Sequence, residues 1–429
     1  MRYTDVRGRS DERNYDSAHL SVTMASVGTE ETIVTGDVGT IVGGHLEYYT
    51  AHGLAPVAYR TDDLRAHLER RDSLYRSLGL PPAAFKGVRV LEVAPGTGQN
   101  SLYVAHCRPA SLDLVEPNPA GLSAIAAAYD AFLLPHTIPA VHAVRLEEFA
   151  PKSTFDIVLC ENWLGGLPRE MMLIKKLTSL VAPGGVLVLT VVPLSGFFAN
   201  VMRKLLAHRI LPPDLDFEAQ TELLVQAFAP HLATLADMTR SHRDWVHDCL
   251  LNPHYLNVAL PLEAVLGAVG GELEALATLP RFGSEWRWFK AMTGARRSFN
   301  EGLGAAYRRN IHNFVDYRHV WPERATDANA ELDRAFHAIH AAALAWQTAW
   351  RNGDRAAIAS RTGEIGGHLE EIAAHLAALD GRLGTAVTEL IDVWTAPSVT
   401  VPMIRKMDHF GALFGRETVY LSMTRPLGL

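Results

Sequence analysis

The alternation of short apolar segments with helix-like stretches between residues 87 and 192 constrains the fold of this chain more than any other feature. Helical spacing of apolar residues is found at 60–80, 121–133 and 170–181. Five segments have the length and the Val, Ile and Leu content of buried strands: GVRVLEVA (87–94), SLDLVEP (111–117), PAVHAVRL (139–146), FDIVLCE (155–161) and VLVLTVV (186–192). Short strands that alternate with helices predict an α/β fold, in which helices cover a parallel sheet on both faces.

The second half of the chain has a different pattern. Residues 197–240 read as helices, 272–280 as a sixth strand and 416–424 as a last strand. Two apolar stripes of helical spacing, 332–350 and 369–390, predict a helical hairpin over 325–395. We therefore expect a large C-terminal helical insertion before the last strand. Because such stripes need a partner surface, we also expect a homo-oligomer, a dimer or higher, formed through these helices.

Composition and charge limit the class of protein. Apolar residues make up 48% of the 429 residues, which excludes a wholly disordered or fibrous chain. The net charge of −7 argues against a nucleic-acid partner, since such proteins bind through a basic face. The longest apolar run, 186–192, is too short for a membrane helix, and the N-terminus lacks a signal core, so we expect a cytoplasmic protein with no membrane partner. The cysteines and histidines have no zinc-site spacing, so no metal is expected.

A Gly-rich turn follows the first apolar segment. The sequence LEVAPGTG (91–98) places Glu92 near the strand end, and its glycines let the backbone approach a ligand closely. Glu116 and Glu147 close the second and third strands, and the carboxyl ends of parallel strands share one edge of a sheet. A carboxylate at Glu116 can accept two hydrogen bonds from a ribose diol. No Lys-Ser/Thr follows the turn, so a nucleoside triphosphate is disfavoured and a different cofactor with a ribose is predicted.

With these features the chain resembles the class I S-adenosylmethionine (SAM) dependent methyltransferases. EVAPGTG matches that family's acid-x-Gly-x-Gly-x-Gly loop, with Ala94 where Gly is usual, and the resemblance covers residues 60–192. It implies a Rossmann-like sheet and a methyltransferase that uses S-adenosyl-L-methionine and releases S-adenosyl-L-homocysteine. It further implies that Gly96 and Gly98 lie under the methionine part, that Glu116 holds the ribose hydroxyls, and that Glu147 lies near the adenine.

The expected division of the chain follows from this resemblance. Its four parts are a flexible N-terminal segment (1–35), a SAM-binding domain (36–290), a helical insertion for oligomerisation (291–410) and the returning last strand (411–429).

A second resemblance concerns the segment after the fourth strand. In CENWLGGLPREMM (160–172), Glu161 and Glu170 are separated by two glycines, as in the double-glutamate loop of protein arginine methyltransferases. Upstream, RTDDLRAHLERRDSLYRSL resembles the helix whose Arg meets the donor carboxylate in that family, which implies this role for Arg71. The spacing of the glycines differs by one residue, and the family's β-barrel has no counterpart in the helical second half.

Two further segments supply candidate site residues. LLNPHY (250–255) is the nearest counterpart of the Thr-His-Trp loop of that family, which makes His254 a candidate catalytic residue and Tyr255 a candidate substrate contact. A turn made by Asn-Pro after a helix explains this segment equally well. Tyr48 and Tyr49 either cover the substrate or pack against the sheet.

The chemistry of a guanidinium agrees with a pair of carboxylates. A guanidinium has five donors in one plane and a single carboxylate satisfies two of them, so Glu161 and Glu170 together can aim one nitrogen at the methyl donor. Without a barrel for a protein tail we expect a small acceptor, first of all free L-arginine, as in the similar free-arginine N-methyltransferases of bacterial natural-product pathways. Two alternatives stay open: an O- or C-methyltransferase of a secondary metabolite with Glu161 as general base, and a non-catalytic assembly protein.

Overall fold

The computed structural model describes residues 22–23, 44–55, 58–59, 61–212 and 214–428. The described strands are β1 (Val22–Thr23), β2 (Arg89–Val93), β3 (Ser111–Val115), β4 (Ala140–His142), β5 (Phe155–Cys160), β6 (Val181–Val191), β7 (Glu274–Leu279) and β8 (Val419–Thr424). They form one sheet in the order β1-β4-β3-β2-β5-β6-β8-β7. All neighbours run parallel except β8, which is antiparallel to both β6 and β7. The predicted α/β class and its Rossmann-like sheet are confirmed. Apart from β1, the segment 1–35 lies outside the described residues.

Helices cover both faces of this sheet. The sixteen α-helices of the described residues are α1 (Gly44–Ala51), α2 (Leu64–Ser77), α3 (Pro82–Phe85), α4 (Ser101–His106), α5 (Pro119–Asp130), α6 (Pro168–Leu180), α7 (Leu194–Ile210), α8 (Phe217–Leu232), α9 (His242–Trp245), α10 (Leu262–Val269), α11 (Phe299–Asn310), α12 (Thr326–Arg351), α13 (Arg355–Leu379), α14 (Gly381–Trp394), α15 (Val401–Arg405) and α16 (Asp408–Ala412). A π-helical turn (Val246–Leu251) follows α9, and four short 3-10 turns lie at Tyr255–Val258, Phe289–Ala291, Gly294–Arg296 and Ile311–Phe314.

Alternate residues of each central strand enter two different cores. In β2, Val90 packs with α2, α4 and α5, whereas Leu91 and Val93 pack with α6, α10 and α11. This is the period of two that a pleated strand imposes on its side chains. The central strands are therefore buried on both faces, which explains why their sequences are nearly continuous apolar runs.

The crossover direction reverses at β2, which places a crevice beside it. From β2 the chain moves outward to β3 and β4, and it then returns to the other side of β2 to form β5 and β6. In open α/β sheets a ligand crevice lies beyond the carboxyl ends of the strands at such a switch point. The ends of β2 and β5 therefore mark where the site is built.

A third core lies among the C-terminal helices. Leu332, Ile339 and Trp346 of the first apolar stripe are buried in it, together with Leu369 and Leu376 of the second. Helix α12 packs against α7 and α13, so the stripes find their partner surfaces within the same chain. A homo-oligomer through these helices stays a prediction, but the stripes no longer require it.

Three helices, α12, α13 and α14, occupy the region predicted as a two-helix hairpin, so that prediction was wrong in its helix count. The second stripe is interrupted at Asp380, whose carboxylate accepts a hydrogen bond from the Arg382 amide (2.9 Å) and caps α14. Gly384 lets α14 approach α13 closely, since a Cβ there would lie 2.6 Å from that of Ala377. The apolar spacing continues across this break, so periodicity alone does not reveal it. The predicted helical insertion before the last strand is confirmed.

Among the described helices, none is both long enough and apolar enough to cross a membrane.

Candidate active site

The neighbouring strands β2 and β5 are both followed by a non-glycine residue in the left-handed region. Val93 pairs with Cys160 at the ends of the strands, and Ala94 and Asn162 both have φ of 54°. The Ala94 amide donates to the Val115 carbonyl (2.9 Å), and the Asn162 amide donates to Thr190 Oγ1 (2.8 Å). For an L-residue this conformation costs about 1–2 kcal/mol. This conformation turns the backbone away from the sheet after each of the two strands, at the crevice. Such strain is typical of functional sites.

Glu116 holds the Gly-rich loop against the sheet edge. Its Oε2 accepts from the Gly96 amide (3.0 Å) and its Oε1 from the Asn118 amide (2.8 Å). Burial raises the pKa of Glu116 to about 7, and these two hydrogen bonds act in the opposite direction. Gly98 has a φ of 71°, and a Cβ there would lie 2.8 Å from Cγ1 of Ile125 in α5. The loop is therefore shaped by one carboxylate and by close helix packing.

Arg71 and Glu161 form a buried ion pair beneath this loop. Nη2 of Arg71 lies 2.8 Å from Oε1 and 2.7 Å from Oε2 of Glu161, and it also donates to the Tyr75 hydroxyl (2.7 Å). The Tyr75 hydroxyl donates to Oε1 of Glu161 (2.8 Å). Burial raises the pKa of the neighbouring Glu92 carboxyl to about 8, and the charge of Glu161 adds to this rise. Two residues predicted to bind different ligands thus bind each other in this structure.

Two polar atoms of this cluster have no partner among the described residues. Nε of Arg71 and Oε2 of Glu92 are both buried without a hydrogen bond. One is a cationic donor and the other an acceptor, which matches the carboxylate and ammonium groups of an amino acid. The cluster therefore fits the methionine part of SAM, because buried polar groups are normally paired.

A cavity of about 1090 Å³ opens at this edge of the sheet. One half is lined by residues that follow β2, β3 and β4, among them Ala94, Glu116 and Glu147. The other half is lined by α1, the π-helical turn, α12 and the start of β8. We call these the donor half and the acceptor half. A single small ligand usually occupies about 300–1,000 Å³, so the volume is large enough for two.

Six of the predicted site residues line this cavity and six do not. The lining residues are Tyr49, Glu116, Glu147, Glu170, His254 and Tyr255. The other six, Tyr48, Arg71, Glu92, Gly96, Gly98 and Glu161, are not among the lining residues. Tyr48 anchors α1, since its hydroxyl donates to the His247 carbonyl (2.8 Å). Its role is therefore packing rather than the predicted substrate contact.

The predicted acids Glu147 and Glu170 both take part in local contacts. Glu147 lies in a turn five residues beyond the end of β4, rather than at the strand end, and is paired with Arg169. Oε2 of Glu170 accepts from the amides of Gly165 (3.1 Å) and Leu167 (3.2 Å) at the start of α6. Glu170 therefore satisfies amides at a helix N-terminus, where a carboxylate is favoured, while its other oxygen forms no hydrogen bond within the described part of the chain.

The π-helical turn supplies an ion pair that the sequence did not predict. Asp248 pairs with Arg240 (2.7 Å) and accepts a hydrogen bond from the Tyr49 hydroxyl of α1. Burial alone would raise the pKa of Asp248, but the charge of Arg240 and the hydrogen bond from Tyr49 hold it below its usual value. This ion pair attaches α1 to the wall of the acceptor half. Pi-helical turns are frequent at functional sites.

Glu417 is the acceptor-half carboxyl that the sequence argument missed. Its Oε2 accepts from Nδ2 of Asn200 (2.5 Å) and from the Tyr255 hydroxyl (3.3 Å). Burial raises the pKa of Glu417. The sequence feature that could have indicated Glu417 is its position just before the last strand. Because β8 is antiparallel to β6, the start of β8 lies beside the end of β6 at the cavity.

His254 and Tyr255 line the acceptor half beside this carboxyl. The ring of His254 lies 5.7 Å from that of His45 in α1. Burial, and next the neighbouring His45, lower the pKa of His254 to about 4, so its imidazole is neutral at pH 7. A neutral imidazole can accept a proton. Among the described residues, no three His, Cys, Asp or Glu side chains are grouped as metal ligands.

Parts of the chain are similar to known methyltransferases. Residues 64–252 match the sequence family described as "Methyltransferase domain", whereas no curated protein matches the chain. Similar solved structures include the N-methyltransferase NodS from Bradyrhizobium japonicum WM9 in complex with S-adenosyl-L-homocysteine (20% identity; 28% of this chain and 60% of that chain; TM-score 0.24). A second is CalS10, an amino pentose methyltransferase from Micromonospora echinaspora (24% identity; 29% of this chain and 49% of that chain; TM-score 0.23). A third is magnesium protoporphyrin IX methyltransferase (ChlM) from Synechocystis PCC 6803 (19% identity; 34% of this chain and 74% of that chain; TM-score 0.27).

The chain spans 60% of the length of NodS and 49% of the length of CalS10. The family match begins at α2 and runs through the Gly-rich loop, Arg71, Glu116 and the end of β5. Over residues 64–252, less than half of its length, the chain therefore matches a methyltransferase domain, for which S-adenosyl-L-methionine is the methyl donor.

Proposed function

We propose that the chain methylates a nitrogen of a small, positively charged molecule, a guanidine or an amine, with free L-arginine as the first candidate. One observation carries this proposal: Glu170 and Glu417 line the cavity, and among the described residues neither forms a direct ion pair, since Arg169 and Arg240 act on them only through longer-range charge. A carboxylate taken out of water is costly unless a cation or hydrogen bonds compensate it. A cationic acceptor would supply the missing charge.

Three of the other acids near the cavity have basic partners, and Glu116 is bound by the amides of Gly96 and Asn118. Asp248 is paired with Arg240, Glu147 with Arg169, and Glu161 with Arg71. These pairs leave little negative charge for a ligand. Selectivity for a cation would therefore come from Glu170 and Glu417, and not from the whole set of acids.

The donor is assigned to the cluster behind the Gly-rich loop. Arg71, through its unpartnered Nε, and Glu92, through its unpartnered Oε2, would hold the amino-acid part. Glu116 would hold the ribose, and Glu147 would lie near the adenine. When bound, S-adenosylmethionine supplies the methyl group in exchange for a proton of the acceptor nitrogen.

The role of Glu161 in acceptor binding depends on Arg71. The predicted pair of Glu161 and Glu170 can hold a guanidinium only if Arg71 releases Glu161, since Arg71 donates to both Glu161 oxygens. The donor carboxylate offers Arg71 a second anion and gives a reason for that release. The carboxylate of Glu417 would then accept the one proton that leaves the acceptor nitrogen, because burial raises its pKa, while His254 stays a neutral imidazole beside it.

Mass spectrometry of small acceptors incubated with methyl-labelled donor tests this proposal. The panel contains L-arginine, agmatine, guanidinoacetate and primary amines, together with phenols and carboxylic acids as uncharged or anionic counterparts. We expect labelled methyl only on guanidine or amine nitrogen. Glu417→Gln and Glu170→Gln should raise KM for that acceptor about tenfold, while Glu148→Gln on the exposed turn should not. Methylation confined to the phenols or acids would contradict the proposal.

An O- or C-methyltransferase of a larger metabolite is the second candidate, and the lining of the acceptor half favours it. Apolar side chains such as Val192, Phe197, Val258 and Leu344 make up much of this wall. Such a wall suits an apolar acceptor, with His254 in place of the ion-paired Glu161 as the base. The position of the labelled methyl group in the product distinguishes the two candidates.

A further inference from the structure

A loop after β7 exposes three aromatic side chains next to one another. In residues 280–298, here called the aromatic loop, Trp286 is 90% exposed, Trp288 68% and Phe289 68%. Tryptophan and phenylalanine carry the largest apolar surfaces of any side chains and are usually mostly buried. Exposed apolar residues found singly need no explanation, but a cluster marks an interaction surface.

The loop is held firmly at both ends, so the exposure belongs to a fixed shape. At its start, Phe282 packs against the rings of Tyr307 (6.0 Å) and Phe314 (5.4 Å). At its end, Arg297 is paired with Glu274 of β7. These contacts attach the loop to the edge of the sheet and to α11.

Arg287, between the two tryptophans, ties the loop to itself. Its guanidinium donates to the carbonyls of Arg296 (2.7 Å) and Arg297 (3.1 Å) and to Oγ of Ser298 (3.1 Å), and it is paired with Glu285. The exposed guanidinium of Arg287 thus holds the loop together, while the aromatic side chains on either side of it remain exposed.

The aromatic loop is also basic in an acidic chain. It contains five basic residues (Arg281, Arg287, Lys290, Arg296 and Arg297) and one acid (Glu285), while the whole chain has a net charge of −7. Among the described residues, Lys290 and Arg296 have no acidic partner, and Lys290 lies 5.4 Å from the centre of the Trp288 ring. Within the described part of the chain Arg281 has no acidic partner either, but it donates to the carbonyls of Ser77 and Arg76, so Lys290 and Arg296 are the cations left for a ligand beside the exposed rings.

We propose that the aromatic loop binds the surface of a membrane that contains anionic lipids. Tryptophan and phenylalanine favour the boundary between head groups and acyl chains, and Lys290 and Arg296 would pair with lipid phosphates. The acidic remainder of the chain opposes this only over about a Debye length, roughly 8 Å at physiological salt. The sequence-based expectation of no membrane partner rested on the lack of a membrane-spanning segment. A peripheral contact needs no such segment.

A membrane fits the loop better than a nucleic acid does. Single-stranded nucleic acids bind in grooves where a line of cations follows the backbone between stacking aromatic residues. Here the aromatic side chains protrude, and of the three cations of the loop that lack an acidic partner within the described residues, Arg281 is bound to the carbonyls of Ser77 and Arg76. A strand that ran past the loop would also meet the acidic remainder of the chain.

The loop leaves the sheet at the edge where the cavity opens. Leu279, the last residue of β7, pairs with Tyr420, and Tyr420 lines the cavity. A membrane contact at the loop would therefore be anchored directly to the strand end beside the active site.

Sedimentation of the full-length protein with lipid vesicles tests the proposal. The probes are vesicles of phosphatidylcholine alone and of phosphatidylcholine with phosphatidylglycerol. We expect binding to the anionic vesicles to exceed binding to the neutral ones by at least about tenfold and to weaken with added salt, as expected for two cations at the surface. The variant Trp286→Ser with Trp288→Ser should lose at least about tenfold, and so should Lys290→Glu with Arg296→Glu.

A matched control replaces an equally exposed apolar residue elsewhere. Leu133, three residues beyond the end of α5, is 91% exposed, and Leu133→Ser should bind vesicles as the parent does. All these side chains are exposed, so the variants should unfold at the parent temperature, which a thermal melt verifies. No binding of the parent to anionic vesicles, or equal binding by the double Trp variant, would overturn the proposal. The proposal would also be overturned by a parent that does not bind vesicles but self-associates or binds single-stranded RNA, if the double Trp variant lost that property.

Discussion

The guanidinium of Arg71 donates from one nitrogen, Nη2, to both carboxylate oxygens of Glu161, at 2.8 and 2.7 Å, and joins α2 to the end of β5 across 90 residues of sequence. Both side chains are almost fully buried, at 8% and 6% exposure. Burying two charges is favourable only if each compensates the other. This ion pair therefore couples the donor side of the site to the strand end that faces the acceptor.

Removing one member of the pair should destabilise the protein. Arg71→Met leaves Glu161 buried without its cation, which should lower the free energy of unfolding by about 3–5 kcal/mol in denaturant titrations. The double variant Arg71→Met with Glu161→Leu should recover part of this loss. Arg76→Met, on the same helix in an exposed pair with Asp72, should change stability by less than about 1 kcal/mol. Equal effects of Arg71→Met and Arg76→Met would show that the buried pair is not coupled to stability.

Glu116 is expected to control donor affinity through the Gly-rich loop. Glu116→Ala removes the acceptor for the amides of Gly96 and Asn118, so the loop should lose its shape. Binding of S-adenosyl-L-homocysteine, measured by calorimetry, should weaken about tenfold or more. Glu148→Ala, on an exposed turn after β4, serves as the control. Unchanged affinity in Glu116→Ala would contradict both the ribose assignment and the anchoring role.

Gly196 is expected to set the position of Glu417. A Cβ at Gly196 in α7 would lie 2.3 Å from the carbonyl oxygen of Arg416, so Gly196→Ala should push away the segment that carries Glu417. Such overpacking should cost about 1–3 kcal/mol of stability and should raise KM for the acceptor. Gly267→Ala in α10, where nothing lies within 4 Å of the new Cβ, should be neutral or slightly stabilising. A Gly196→Ala variant as stable as Gly267→Ala would refute the close approach.

The buried Lys204 should make stability depend on pH. Its ammonium donates to the carbonyls of Leu250 (2.9 Å) and Asn252 (2.8 Å), and burial lowers its pKa from 10.5 to about 7. Between these two pH values the unfolded chain binds the proton and the folded chain does not, so raising the pH favours the folded state.

The expected gain through this group is at most about 1.4 kcal/mol per pH unit between about pH 7 and 10. Denaturant unfolding of the parent and of Lys204→Met over this range measures it, and only the parent should show this contribution. Lys175→Met, at an exposed position of α6, should retain the parent slope. The prediction fails if Lys204→Met follows the same pH dependence as the parent.

The strands of the sheet could be predicted because their signal is local. All five apolar segments between 87 and 192 became strands, since a run of Val, Ile and Leu bounded by turn residues has few other ways to bury itself. The acids Glu92 and Glu116 were placed at the sheet edge for the same reason. Glu147 was misplaced at its strand end because β4 is only three residues long and ends well before it.

The partners of the site residues could not be predicted in this way. Nothing local indicates that Arg71 meets Glu161, or that Tyr49 meets Asp248, because these contacts join segments about 90 and 200 residues apart. Glu417 was missed because the direction of the last strand decides which of its ends faces the cavity. The break at Asp380 was hidden because the apolar stripe continues on both sides of it.

By itself the sequence determined the fold class, the Gly-rich loop and the acids at the sheet edge, since hydrophobic periodicity and turn chemistry act over a few residues. Only the tertiary structure decided which charges are compensated and which are left for a ligand. The physical reason is that the energy of a buried charge depends on the groups around it in space, and the packing of α2, the π-helical turn and the antiparallel β8 brings those groups from distant parts of the chain.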